Sequence, residues 1–186
     1  PVVNLLNLSP EEKIAAVVSV DDFSADQYLF TATRKGVVKK TVLSAYGNIR
    51  RDGIIALKIQ EDDDLIGAAV TDGSQDILLE TRNGMSVRFI EKEVRSMGRV
   101  STGVKGIHLR ADDKVVAMEV LEAEGTLLTI CEHGYGKRTL IGEYSSIHRG
   151  GKGLIDIKVS ERNGPVVASK QVWDEDEVMI ITQNGI

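Results

Sequence analysis

Four nine-residue segments of this chain line up without gaps: 28–36 (YLFTATRKG), 76–84 (DILLETRNG), 126–134 (TLLTICEHG) and 177–185 (EVMIITQNG). Their closing glycines stand 48, 50 and 51 residues apart. A second series, GIIALKI from Gly53, GVKGIHL from Gly103 and GLIDIKV from Gly153, recurs at 50 and 50 residues. A third comprises KIAAVVSV from Lys13, DLIGAAVT from Asp64, KVVAMEVL from Lys114 and PVVASKQV from Pro165. Three series sharing one period make the chain an array of like units, which limits the fold more than any local propensity does.

Each unit reads as four short strands. In the first, IAAVVSV, QYLFTAT, VVKKTVL and IIALKI are rich in β-branched residues and bounded by charged or glycine-containing turns. Lys35-Gly36, Asn83-Gly84, His133-Gly134 and Asn184-Gly185 fall between the second and third strands and suit a two-residue hairpin turn with φ > 0. No segment has a convincing helical period, although 86–97 (SVRFIEKEVRSM) has room for one helical turn before the fourth strand. Aromatic residues make up 4% of the chain, so its core must be aliphatic.

Four strands per repeat of about 50 residues predict an all-β, propeller-like ring of four-stranded blades. WD-repeat propellers are disfavoured, because the sole Trp-Asp pair, Trp173-Asp174, does not recur at the repeat spacing. The repeat divides the chain into the end of a preceding blade (1–12), three blades (13–63, 64–113 and 114–163) and the start of a further one (164–186). Residues 3–8 align with a fourth strand, and the last residue follows a hairpin turn, so the expectation is a part of a longer ring. A single cysteine, Cys131, excludes an internal disulfide or a Cys₂ metal site, and it ends the apolar run LLTIC as a small buried hydrophobe. No apolar run approaches the ~20 residues of a membrane span.

The formal net charge of −5 argues at first against a polyanionic partner, but it hides a segregation. The windows 34–58, 82–110 and 132–158, running from hairpin turn through fourth strand, hold 19 of the 23 basic residues and 6 of the 28 acidic ones. They carry a net +13 and the remainder −18. In a ring, equal phase means equal position, so this pattern predicts a basic band suited to a long polyanion. The plainer alternative is charge in solvated turns. Four residues after each turn glycine stand Lys40, Arg88 and Arg138, with Lys39 and Lys137 beside two of them. The loop before the fourth strand adds Arg50 and Arg51, then Arg95, Arg99 and Lys105, then Arg149 and Lys152. In the last of these loops the run 148–153 (HRGGKG) joins basic side chains to glycines, whose backbone N–H groups can approach phosphate closely. It lacks the spacing and the Ser/Thr of a nucleotide-binding P-loop.

Several stretches resemble the C-terminal domain of the bacterial DNA gyrase A protein: PVVNLLNL at the start, TATRKGVVKKT, ETRNGMSVRF, VRSMGRVSTGVKGI, GYGKRT and KVSERNG. The resemblance extends over essentially the whole chain. It implies a β-pinwheel, a propeller-like ring whose neighbouring blades exchange strands, and a domain that wraps duplex DNA around a basic rim. The holoenzyme thereby introduces negative supercoils by ATP-dependent strand passage. The expected phosphate contacts are Lys39, Lys40, Arg50, Arg51, Arg88, Arg99, Lys105, Lys137, Arg138, Arg149 and Lys152. The resemblance also implies double-stranded DNA, gyrase B and the rest of gyrase A as partners in an A2B2 assembly, and a cytoplasmic, nucleoid-associated bacterial location. No membrane partner is expected. ATP and Mg²⁺ would act elsewhere in the holoenzyme, leaving no cofactor, metal site or catalytic residue in this chain.

The family's glycine-rich box, Q-R-R-G-G-K-G, is met in this chain only in its last five residues, Arg149, Gly150, Gly151, Lys152 and Gly153, preceded by Ile147-His148. Tyr46 and Tyr144 share a phase where the middle repeat has Val94, a packing pattern rather than a catalytic one. The scattered His108, His133 and His148 have no metal-ligand spacing. The acidic runs at 61–64 and 112–113 read as solvated turns before Ca²⁺ sites. The rival readings are a topoisomerase IV C-terminal domain, a protein-interaction propeller and, more distantly, a propeller hydrolase.

Overall fold

A computed structural model of the chain describes residues 8, 12–48, 50 and 53–181. Residues 3–7 of the strand expected at 3–8, the turn Asn184-Gly185 and Arg51 lie outside the described residues.

Eleven strands are described: β1 (Tyr28–Thr33), β2 (Val37–Val42), β3 (Leu65–Thr71), β4 (Asp76–Thr81), β5 (Met85–Ile90), β6 (Val104–Lys105), β7 (Val115–Leu121), β8 (Thr126–Cys131), β9 (Gly136–Leu140), β10 (Leu154–Ile155) and β11 (Val166–Val172). They form antiparallel sheets ordered β3-β1-β2-β6, β10-β5-β4-β7 and β11-β8-β9. A one-turn 3-10 helix follows each hairpin, at Leu43–Tyr46, Glu91–Glu93 and Ile141–Glu143. The second is the helical turn allowed for within residues 86–97.

Each hairpin takes its outer strands from the sequence unit that follows it. The β1–β2 hairpin pairs with β3 on one side and with β6, whose residues lie 66 and 68 positions beyond their β2 partners, on the other. The β4–β5 hairpin is completed by β7 and β10 in the same way. The four strands of a contiguous 50-residue unit are therefore divided between two hydrogen-bonded sheets. Residues 13–20 and 53–59, which have strand-like sequences, carry no assigned strand, and 177–181 carry none either. A strand is defined by its ladder partner, and among the described residues no hairpin is offered to 53–59.

The hairpin turn also differs from expectation. Gly36 N–H donates to Thr33 O at 2.9 Å, and Gly84 and Gly134 repeat this bond with Thr81 and Cys131 at 3.0 Å each. Lys35, Asn83 and His133 are absent from the residues with positive φ, whereas Gly36, Gly84 and Gly134 adopt it. The result is a three-residue connection closed by a left-handed glycine rather than a two-residue turn.

The hairpins carry the core. Phe30, Ala32 and Val38 of the first sheet pack with Ile77, Leu79, Val87 and Phe89 of the second, and Ile107 and Val115 close the cluster. Leu78, Leu121, Leu127, Ile141 and Tyr144 form the corresponding core between the second and third sheets. Each such aliphatic side chain contributes about 1.5–3 kcal/mol on burial. β7 packs against both β3 and β11, so the equivalent strands of successive sheets are neighbours. The middle sheet is thereby covered by another blade on each face.

The exchanged strands lie close to their host hairpins. Gly153 adopts φ +75°, and a Cβ there would stand 2.6 Å from Ser86 O. The glycine that opens this fourth-strand motif is what admits the approach.

Candidate nucleic-acid interface

The basic residues expected at a rim divide into two groups. Lys40 is 6% exposed; its Nζ donates to Glu91 O at 3.3 Å, lies 3.9 Å from Glu91 Oε1 and sits 4.9 Å from the centre of the Tyr28 ring. Arg88 donates Nε and Nη2 to Asp76 Oδ2 at 2.8 and 2.5 Å, and Nη1 to Ile141 O and Tyr144 O at 3.0 and 3.1 Å. Glu91 and Ile141 each begin the 3-10 turn of the next blade. This phase therefore clamps a hairpin to its successor, and the charges of Lys40 and Arg88 are answered within the protein. Arg138, at the same phase, is exposed and bonds Asp174 Oδ1 at 2.8 Å and Thr126 Oγ1 at 2.9 Å.

Lys39 is likewise interior, at 3% exposed. Its Nζ donates to Ala56 O at 3.2 Å and to Arg99 O. Burial, aided by the Arg99 charge, lowers its pKa to about 8. Its counterpart Lys137 is half-exposed and pairs with Asp156 Oδ1 at 3.0 Å. The buried Asp156 also accepts Tyr144 OH at 2.5 Å and Thr129 Oγ1 at 2.7 Å. Tyr46 OH donates to Ala56 O at 3.1 Å, so both tyrosines are packing struts. Burial pushes both phenols up, with the Asp156 bond adding to the effect on Tyr144.

The loops before the fourth-strand motifs behave differently. Arg50 is exposed, and with Arg99 it lines a shallow cleft that also includes Asn48, Gly53 and Val100. One blade further on, Lys105 and Lys152 are exposed around the glycine-rich loop. The equivalent arginines Arg99 and Arg149 reach back by Nη1 to backbone carbonyls of the preceding unit, Ile55 O at 3.0 Å and Lys105 O at 3.1 Å. Among the described residues, no side-chain partner holds the Arg50, Lys105 or Lys152 charge. The structure thus brings together Arg50 with Arg99, and Lys105 with Arg149 and Lys152, at two equivalent junctions.

The glycines of the 148–153 loop serve close backbone approach. Gly150 N–H donates to Gly106 O at 2.6 Å, and Gly151 O accepts His108 N–H at 2.7 Å. A Cβ on Gly150, at φ +77°, would meet Lys105 O at 3.5 Å and the Lys105 stem at 3.9 Å. The Gly150 amide is therefore committed to the residue after β6, and the cationic heads of Lys152 in the loop and Lys105 on β6 are left to solvent.

Glu93, one of two acidic residues in the middle basic window, joins this site without a signal in the sequence. Its Oε2 accepts Arg149 N–H at 3.1 Å, and its carbonyl accepts Arg149 Nε at 3.0 Å. Its position in the repeat is Ala45 in the first unit and Glu143 in the third, so phase does not single it out. The acidic turns cap neighbouring hairpins: Asp63 Oδ1 accepts Lys35 N–H at 2.8 Å, and Asp113 Oδ1 accepts Asn83 N–H at 3.0 Å. Cys131 is buried, and burial raises its thiol pKa. Among the described residues, no group of three His, Cys, Asp or Glu could hold a metal ion, and no helix is long and apolar enough to cross a membrane.

Blades that borrow strands from the next unit, with basic loops at each junction, define a β-pinwheel variant of the propeller. The chain belongs to the family described as DNA gyrase C-terminal domain, beta-propeller, whose family model matches residues 27–72, 75–122 and 125–172. These matches start at each hairpin and end with the following unit's first strand. The DNA gyrase A protein of Salmonella typhimurium is 46% identical over 185 residues, covering 100% of this chain and 21% of the relative. The Staphylococcus aureus gyrase A protein (strain NCTC 8325) is 43% identical over 189 residues, again covering 100% and 21%. The chain thus spans about a fifth of the length of these relatives. A crystal structure of the C-terminal domain of DNA topoisomerase IV superposes with TM-score 0.86 at 25% identity, covering 93% of this chain and 55% of that one. A DNA gyrase A C-terminal domain gives TM-score 0.82 at 25% identity, covering 94% and 59%.

Proposed function

We propose that this chain is a non-catalytic, DNA-binding and DNA-wrapping module of a gyrase A protein. It bends duplex DNA across successive blade junctions so that the holoenzyme can introduce negative supercoils by ATP-dependent double-strand passage. The observation that carries this reading is the grouping of cations at two equivalent junctions, exposed Arg50 with half-buried Arg99 and exposed Lys105 with exposed Lys152. Cations grouped at successive junctions suit a backbone that passes one junction after another, with recognition by phosphate position and duplex deformability rather than base edges. Arg51, in the same loop as Arg50, joins this set by sequence. Arg138 and Lys137 supply secondary contacts at the third hairpin, and Arg149 orders the loop.

The partners in this reading are double-stranded DNA, gyrase B and the remainder of gyrase A, in an A2B2 assembly on the bacterial nucleoid. ATP and Mg²⁺ are used by other parts of that assembly. The gyrase reading is preferred to topoisomerase IV because the curated relatives matching at 41–46% identity are gyrase A proteins.

The test is duplex affinity as a function of salt. Each phosphate neutralised contributes about 0.9 to the slope of log K against log salt. Lys105→Glu with Lys152→Glu should weaken low-salt binding and flatten the slope by about 2. Reversing two acidic-turn charges, Asp62→Lys with Asp112→Lys, should not flatten it. Salt-insensitive binding by the unaltered chain, or equal effects of the two double variants, overturns the reading.

A further inference from the structure

One carboxylate fastens the glycine-rich loop to the preceding blade. Glu93 ends the 3-10 turn Glu91–Glu93 of the middle unit. Its Oε2 accepts the Arg149 backbone N–H at 3.1 Å, and its Oε1 lies 3.3 Å from Nδ1 of His148. Its backbone carbonyl accepts Arg149 Nε at 3.0 Å, while Arg149 Nη1 goes on to Lys105 O at 3.1 Å. The circuit joins the turn of one unit, the exchanged strand of that unit and the loop of the next. The Glu93 side chain is 24% exposed, so water competes only partly for these charge-assisted bonds.

The two carboxylates of this turn face different ways. Glu91 is buried and accepts Thr71 Oγ1 at 2.6 Å and Gly73 N–H at 3.0 Å, inside its own sequence unit. Glu93 faces the next blade's loop. At the neighbouring junction the position of Glu93 is Ala45, and Arg99 reaches Ile55 O, while among the described residues no carboxylate bonds the Arg99 backbone. The anchored junction is also the one whose loop contains adjacent glycines, Gly150 and Gly151, with the greatest backbone freedom to restrain.

A carboxylate beside a phosphate-binding patch repels the ligand, so its presence there needs a compensating service. We infer that Glu93 is a positioning residue for DNA: it holds the 148–153 loop against the Lys105 strand so that Lys105 and Lys152 meet the backbone together. The inference rests on the DNA-binding reading above. Repulsion depends on the charge of Glu93, whereas positioning depends on an acceptor at Oε2. Glutamine removes the first and keeps the second; alanine removes both.

The experiment compares the unaltered chain, Glu93→Gln and Glu93→Ala by duplex titration across salt and by amide hydrogen exchange without DNA. Glu93→Gln should bind at least as tightly as the unaltered chain with the same salt slope. Glu93→Ala should bind about tenfold more weakly at low salt, with a slope lower by about 1 as one lysine drops out of register. Exchange at the Arg149 and Gly150 amides should be about tenfold faster in Glu93→Ala and little changed in Glu93→Gln. Two variants that both bind more tightly would make Glu93 a repulsive charge and overturn the inference. Unchanged exchange in Glu93→Ala would overturn it too, and that measurement involves no DNA. If the unaltered chain has no salt-dependent duplex binding, the DNA reading fails, while the exchange data still decide whether Glu93 holds the loop.

Discussion

Glu80 provides the sharpest test of how this fold is held together. It lies on β4 opposite Ser86 and Ala117, is fully buried, and neither of its carboxyl oxygens has a hydrogen-bond partner. The equivalent residues in the other units are Ala32 and Ile130. Burial above all, and then the Asp156 charge, push its pKa well above the carboxylate range; Asp113 adds to this and Lys137 opposes it. The folded chain therefore keeps a proton that the unfolded chain releases above about pH 4.3. The stability this group contributes is fully present below that pH and is lost as the pH rises toward the folded-state value. Glu80→Met removes both the titration and the unpaired oxygens at similar volume. An unpaired buried polar group costs about 1–3 kcal/mol, and a chain of this size gains about 2–4 °C in Tm per kcal/mol. The variant should thus melt roughly 2–12 °C higher near neutral pH. Thermal unfolding followed by circular dichroism from pH 5 to pH 9 should show its advantage widening as the pH rises. A variant that melts lower than the parent at pH 8, or that keeps the parent's pH slope, would refute the reasoning.

Two other substitutions separate structural cations from those of the rim. Arg88→Met strands the partly buried Asp76 and the carbonyls of Ile141 and Tyr144, so it should cost about 2–3 kcal/mol by chemical denaturation. Its duplex-binding salt slope should match the parent's; a flatter slope with unchanged stability would return Arg88 to the rim. For Lys39, the folded pKa of about 8 lies below the ordinary 10.5, so the unfolded chain binds more protons between those values. Stability should rise with pH across that window. Lys39→Met should abolish the rise, and its persistence in the variant would place its origin elsewhere.

Much of the fold was legible because the repeat is long and the strands are short. Three hairpins appear where QYLFTAT–VVKKTVL and its next two counterparts place them, and the aliphatic core follows from the scarcity of aromatics. Strand exchange was not legible from periodicity. A period says which segments are alike, but not which hairpin a fourth strand joins, and Val104–Lys105 has nearly the same sequence surroundings in either blade. The burial of Lys39 and Lys40 did leave a trace. Adjacent residues on a strand point to opposite faces, and both faces of a blade are covered by its neighbours. Mid-strand lysines in VVKKTV therefore had to turn inward or find partners, whatever the charge of their window.

The sequence alone determined the number and kind of units, the positions of the hairpins and the segregation of basic from acidic phases. These are properties of spacing, and spacing survives without coordinates. The tertiary structure decided which basic residues are free to meet a phosphate. That depends on the carbonyls and carboxylates that folding brings within about 3 Å, such as Asp76 for Arg88, Ala56 for Lys39 and Glu93 for Arg149. Of the expected phosphate contacts among the described residues, Arg50, Lys105 and Lys152 are left facing solvent without a side-chain partner, because they lie in loops and at strand ends where no neighbouring blade covers them.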